Sequence, residues 1–109
     1  MTGPPDDEAA PTVDGASAAG TISCDMPIVN KRGLHARASA KFVQMVERFE
    51  ADVSVTRNGE TVGGNSIMGL MMLSAGIGTT ITVSATGPEA EAAIAAIADL
   101  IGNRFDEDE

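Results

Sequence analysis

The chain's only histidine, His35, sits in Gly33-Leu34-His35-Ala36-Arg37, where a glycine-containing loop passes into a run with helical periodicity. An imidazole at the start of a helix lies among backbone N–H groups that have no partner within the helix, at the positive end of the helix dipole. These surroundings suit a nucleophilic ring and would receive an anion placed on it. Arg37 adds a permanent positive charge two residues away. Together the five residues suit the handling of a phosphoryl group.

The charge distribution supports that centre. The formal charge is −9, but eight of the 16 carboxylates lie near the two ends: Asp6, Asp7, Glu8, Asp14, and the run Asp106 to Glu109. Residues 21–105 hold eight acids against seven bases and are close to neutral. Four of those bases, Lys31, Arg32, Arg37 and Lys41, fall within eleven positions around His35. Positive potential is therefore local and centred on the histidine.

A second segment with chemical potential is Gly63-Gly64-Asn65-Ser66, followed by Ile67, Met68, Met71 and Met72. Ser66 has the type and place of a helix N-cap, and a phosphate at a helix start is electrostatically favoured. A short helix cannot bury every face, and methionine suits a surface that must fit several partners.

Other chemistries find little support. One His and one Cys cannot build a typical zinc site, the Gly-Gly-Asn-Ser segment lacks the P-loop lysine, and there is no Gly-x-Ser-x-Gly elbow. No cofactor or metal is expected. Net acidity and the absence of Tyr and Trp argue against nucleic-acid binding. There is neither a signal-type segment nor an apolar run long enough for a membrane span, and Cys24 is alone, which fits a reducing compartment. The cytoplasm is the expected location.

The elements that must position these groups follow from periodicity. Ile22, Cys24, Met26 and Ile28 alternate as a strand, with Pro27 marking an edge or exit. Ala38, Phe42, Met45, Val46 and Phe49 recur at helical spacing from near His35. Val53 and Val55 alternate into the Asn58-Gly59 turn of a hairpin that returns through Thr61 and Val62. A short helix over Ile67 to Leu73 is expected to end at Gly76 and Gly78. Thr80 to Thr86 alternates again, and Gly87-Pro88 opens a helix whose Ala90, Ala93, Ile94, Ile97, Leu100, Ile101 and Phe105 form one stripe. The order βαββαβα predicts an α+β open-faced sandwich, a four-stranded antiparallel sheet covered on one face by helices. Residues 1–20 read as a disordered acidic arm, 21–105 as the domain, and 106–109 as an acidic tail.

In this element order the segment Gly-Leu-His-Ala-Arg-Ala-Ser-Ala-Lys-Phe-Val at 33–43 resembles the HPr family, the histidine phosphocarriers of the bacterial phosphoenolpyruvate-dependent phosphotransferase system. The Asn58-Gly59 hairpin, Asn65-Ser66-Ile67-Met68-Gly69-Leu70 and the final amphipathic helix extend the likeness from about residue 21 to 105. The resemblance implies that His35 accepts a phosphoryl group on Nδ1 from an enzyme I-type donor and passes it to an IIA-type acceptor, with Arg37 stabilising it. Such a protein is a carrier with a phosphohistidine intermediate rather than a free-standing enzyme. Ser66 matches the regulatory serine that in some bacteria a dedicated HPr kinase/phosphorylase modifies. Ala36, Ala40, Gln44, Ile67, Met68 and Met71 match the partner-docking surface, and a monomer is expected. Ala38 replaces the proline usual in sugar-type members, and Gln44, Glu47 and Gly69 replace lysines of many enteric ones. These departures look more like the nitrogen-related branch or an alphaproteobacterial regulatory form. A different class remains open, a non-catalytic binding module controlled by phosphate on Ser66, as does a simple anion-binding domain.

Overall fold

Alternation of small or β-branched residues and two amphipathic runs place every element around one layer of apolar side chains. The computed structural model describes residues 21–106. The order is β1 (Ile22–Pro27), α1 (Ala36–Val46), β2 (Asp52–Arg57), β3 (Glu60–Gly63), α2 (Ile67–Met72), β4 (Thr80–Thr86), α3 (Ala90–Gly102) and a 3-10 turn at Arg104–Asp106. The arm expected over residues 1–20 and the tail residues Glu107 to Glu109 lie outside the described residues. Asp106 ends the 3-10 turn.

The four strands form an antiparallel sheet in the order β1-β4-β2-β3. The expected open-faced α+β sandwich is the fold observed. β4 runs between β1 and β2, so Val83 has Cys24 on one side and Val55 on the other. Because strand side chains alternate, Val53, Val55, Ile81, Val83, Ala85 and Met26 all enter one face, where they are buried with Ala38, Phe42 and Val46 of α1 and Ala93, Ile97 and Ile101 of α3. The opposite face carries hydroxyl pairs instead: Ser23 with Ser84 and Thr56 with Thr61, each at 2.8 Å. Thr82 donates to Asp25 on that face at 2.7 Å. Such cross-strand polar pairs stabilise a solvated sheet surface.

The hairpin turn has Asn58 at φ 52° and Gly59 at φ 80°. Both are positive, as a type I′ turn requires. Three details depart from sequence expectation. Cys24 is exposed although its register partner Val83 and its same-face neighbour Met26 are buried. α2 ends before Gly76: Leu73 is its C-cap, and Ser74, at φ 54°, takes the left-handed position usually given to glycine. Phe105 does not continue the stripe of α3. That helix stops at Gly102, and a turn with Arg104, Phe105 and Asp106 at φ 56°, 56° and 60° swings the ring back into the core, where it is fully buried.

Candidate functional site

The loop from Ile28 to His35 is built as a rigid approach to α1. Ile28 is tied to the segment before β4 by Ile28 N donating to Thr79 O (2.8 Å) and Gly78 N to Ile28 O (2.9 Å). A tight turn then closes as Gly33 N donates to Asn30 O at 3.2 Å. Gly33 has φ +65°, and a Cβ there would lie 2.2 Å from the Ala75 carbonyl oxygen. Only glycine permits both the left-handed backbone and this approach. The next residue completes the junction, with Leu34 N donating to the same Ala75 oxygen at 2.9 Å.

His35 is the N-cap of α1, with extended backbone (φ −74°, ψ 179°), and its side chain closes the cap. The Arg37 backbone N–H donates to His35 Nδ1 at 3.3 Å. That contact identifies Nδ1 as the unprotonated ring nitrogen, its lone pair engaged by the amide, and leaves Nε2 to carry the ring proton in the neutral form. The ring is half-buried and Arg37 is exposed. A group carried on Nδ1 would therefore meet the backbone donors and positive dipole end of α1.

The histidine borders α2 directly. Arg32, Leu34, His35, Met71, Ser74, Ala75 and Gly76 line one shallow cleft of about 290 Å³. Ser66 caps α2, its Oγ accepting from Gly69 N at 3.0 Å, and is half-buried. Arg57 of β2 donates to the Leu73 carbonyl at 2.9 Å, satisfying the other end of the same helix. Gly69 packs closely: a Cβ there would lie 3.1 Å from both Ser66 Oγ and Val62 Cβ. Leu70 is the fully buried anchor of α2, while Ile67, Met68, Met71 and Met72 are exposed, Met68 and Met72 each by 73%.

The structure thus brings His35 and the apolar α2 surface to one side of the fold. Ala36, Ala40 and Gln44 follow one another at intervals of four along α1, exposed or half-buried, on one stripe of the helix. Lys31 and Arg32 are exposed in the loop. Lys41 differs from the other bases of that cluster. Its Nζ donates to the Phe105 carbonyl at 2.6 Å, so it tethers the final turn to α1. Sequence reasoning missed Arg57, Ile77, Asn30 and Ser39. Ile77, exposed by 57%, had only its apolar character in a glycine-flanked loop to mark it. Among the described residues no helix is long and apolar enough to cross a membrane.

Residues 22–103 match the family model described as the PTS HPr component phosphorylation site. The chain belongs to the HPr family. It is 52% identical over 85 residues to the phosphocarrier protein HPr of Cupriavidus necator, an alignment covering 78% of this chain and 96% of that protein. It is 40% identical over 80 residues to the phosphocarrier protein NPr of Shewanella violacea, covering 73% and 88% respectively. Among solved structures, an HPr from Thermoanaerobacter tengcongensis superposes with a TM-score of 0.77 at 39% identity, covering 81% of this chain and 99% of that one. An HPr-type phosphocarrier of the phosphotransferase system is what the matched span, fold and element order describe.

Proposed function

We propose that His35 accepts a phosphoryl group from a phosphorylated enzyme I-type protein and yields it to an IIA-type acceptor. The observation that carries this reading is the Arg37 N–H donated to His35 Nδ1, which leaves that nitrogen as the nucleophile at a helix start. The Nδ1 lone pair, released from the Arg37 N–H, forms the bond to phosphorus as the bond from phosphorus to the donor breaks, and that electron pair stays with the donor. The acceptor reverses the process at His35. Backbone N–H groups of α1 and the Arg37 guanidinium stabilise charge on the transferring oxygens.

Ala36, Ala40 and Gln44 on α1, with Ile67, Met68 and Met71 on α2, form the docking surface. A carrier meets two partners briefly at one small interface, which suits a shallow, partly apolar patch. The protein acts as a cytoplasmic monomer. Phosphate on Ser66, at the start of α2 beside that patch, is a second level of control, and the agent is an ATP-dependent kinase.

The deciding experiment is intact mass after incubation with phosphoenolpyruvate and a demonstrably active enzyme I-type protein. One acid-labile phosphoryl adduct on the parent chain, absent from His35→Ala, is the expected result. A full adduct on His35→Ala would overturn the reading, and no adduct on either chain would favour the regulatory module governed by Ser66. Offering the phosphorylated carrier to sugar-type and nitrogen-type IIA acceptors in parallel identifies the branch by the faster transfer.

A further inference from the structure

Two polar side chains are fully buried among the described residues, Asn30 and Ser39, and both act on the segment that delivers His35. Asn30 Nδ2 donates to the Gly33 carbonyl at 2.9 Å. Ser39 Oγ donates to the Leu34 carbonyl at 3.1 Å, and Ser39 N donates to the His35 carbonyl at 2.8 Å. The two side chains thereby hold the consecutive carbonyls of residues 33 and 34, while the bond from Ser39 N to the His35 carbonyl is the first regular bond of α1. Leu34 N is held from the other side by Ala75 O at 2.9 Å.

The arrangement exceeds what a helix start needs. An ordinary N-terminus leaves N–H groups to be satisfied, whereas here the carbonyls leading into the cap are the groups fixed. A buried serine inside a helix is usually a liability because its hydroxyl competes for backbone partners. Ser39 directs that hydroxyl to the residue before the cap, five positions back, where no regular helical bond could reach. Each peptide plane before His35 is therefore fixed in rotation, and with it the direction of the Cα–Cβ bond that carries the imidazole.

We propose that Asn30 and Ser39 are positioning residues for phosphoryl transfer, their side chains locking the carbonyls of residues 33 and 34 so that His35 Nδ1 keeps one orientation. The proposal rests on the reading of His35 as the phosphoryl acceptor. In-line displacement tolerates little angular error, and small misplacements of a reacting group carry large rate penalties. Loss of either side-chain bond frees a carbonyl to rotate and lets the ring leave its cap.

The test uses Ser39→Ala, Ser39→Thr and Asn30→Ala in the full chain, with two readouts. The first needs no partner: the ¹⁵N shifts of the His35 ring and the Arg37 amide report whether Nδ1 still accepts the cap bond. The second is the steady-state rate of phosphoryl uptake from the phosphorylated enzyme I-type protein. In Ser39→Ala and Asn30→Ala, kcat is expected to fall roughly tenfold or more with KM held within about twofold, and the ring shifts to move toward a mixture of tautomers. Ser39→Thr, which restores the hydroxyl, is expected to return both readouts toward the parent. Folded Ser39→Ala with parental ring shifts and an unchanged kcat would overturn the proposal. Should Asn30→Ala fail to fold, the Ser39 pair decides alone. If the parent accepts no phosphoryl group, the acceptor reading falls, and the ring shifts still decide whether these two residues orient the imidazole.

Discussion

His35 and Arg37 are joined head to tail within one helical cap: the Arg37 backbone N–H donates to His35 Nδ1 at 3.3 Å while the Arg37 guanidinium extends into solvent. One residue thus supplies two different services. Its main chain marks which ring nitrogen is unprotonated, and in the proposed transfer its side chain would meet the incoming anion.

These services separate in Arg37→Ala, which keeps the backbone N–H and removes the charge. Phosphoryl uptake is expected to slow by roughly ten- to a hundredfold, less than the loss of an enclosed oxyanion donor because the site is open to water. Rapid-quench time courses with a phosphorylated donor measure this. Unchanged rates would mean that the helix start alone stabilises the transferring group.

Ser66 caps α2 through its Oγ, so Ser66→Ala is expected to lower stability by about 1 kcal/mol, or roughly 4–8 °C in melting temperature. Ser66→Asp should not, because aspartate is an equally good cap and its charge suits the helix start. If Ser66→Asp nevertheless raises KM for the donor while Ser66→Asn does not, negative charge beside the docking surface is responsible. Calorimetry and transfer kinetics on the three variants distinguish the roles.

Met68 is exposed and touches nothing essential to the core, so Met68→Ser is expected to change stability by less than about 0.5 kcal/mol. As a docking residue it should raise KM for the donor roughly fivefold or more, the effect of about 1 kcal/mol at an interface hot spot. A variant with parental KM would remove Met68 from the interface.

The left-handed turn at Arg104–Asp106 carries an opposing pair of expectations. Phe105→Ala empties a fully buried aromatic site and should cost about 3–5 kcal/mol. Arg104→Gly relieves one left-handed residue, at φ 56°, and should stabilise by about 1 kcal/mol. Urea denaturation of both variants measures the balance between strain and burial.

The parts legible in the sequence are those governed by local periodicity and turn chemistry. Asn58-Gly59, the alternation of Thr80 to Thr86 and the helical spacing after His35 each state their structure within a few residues. What escaped depends on partners far along the chain. Lys41 looked like one more base near His35, yet its partner is the carbonyl of Phe105, 64 residues on. Phe105 itself continued an apolar stripe, and nothing local signalled three left-handed residues in succession. Ser74 ended α2 where the glycines at 76 and 78 were the stronger signals. Asn30 and Ser39 were not singled out, because burial of a polar side chain is a property of the assembled fold.

At Gly33, where the missing Cβ lets the backbone rest against Ala75, the loop bearing the histidine and the segment leaving α2 are pressed into a single piece. The backbone bearing the imidazole and the backbone leaving α2 therefore meet at one set spacing. If the chain relays a phosphoryl group as proposed, each client meets that one backbone spacing, and the exposed methionine side chains are left to adapt to it.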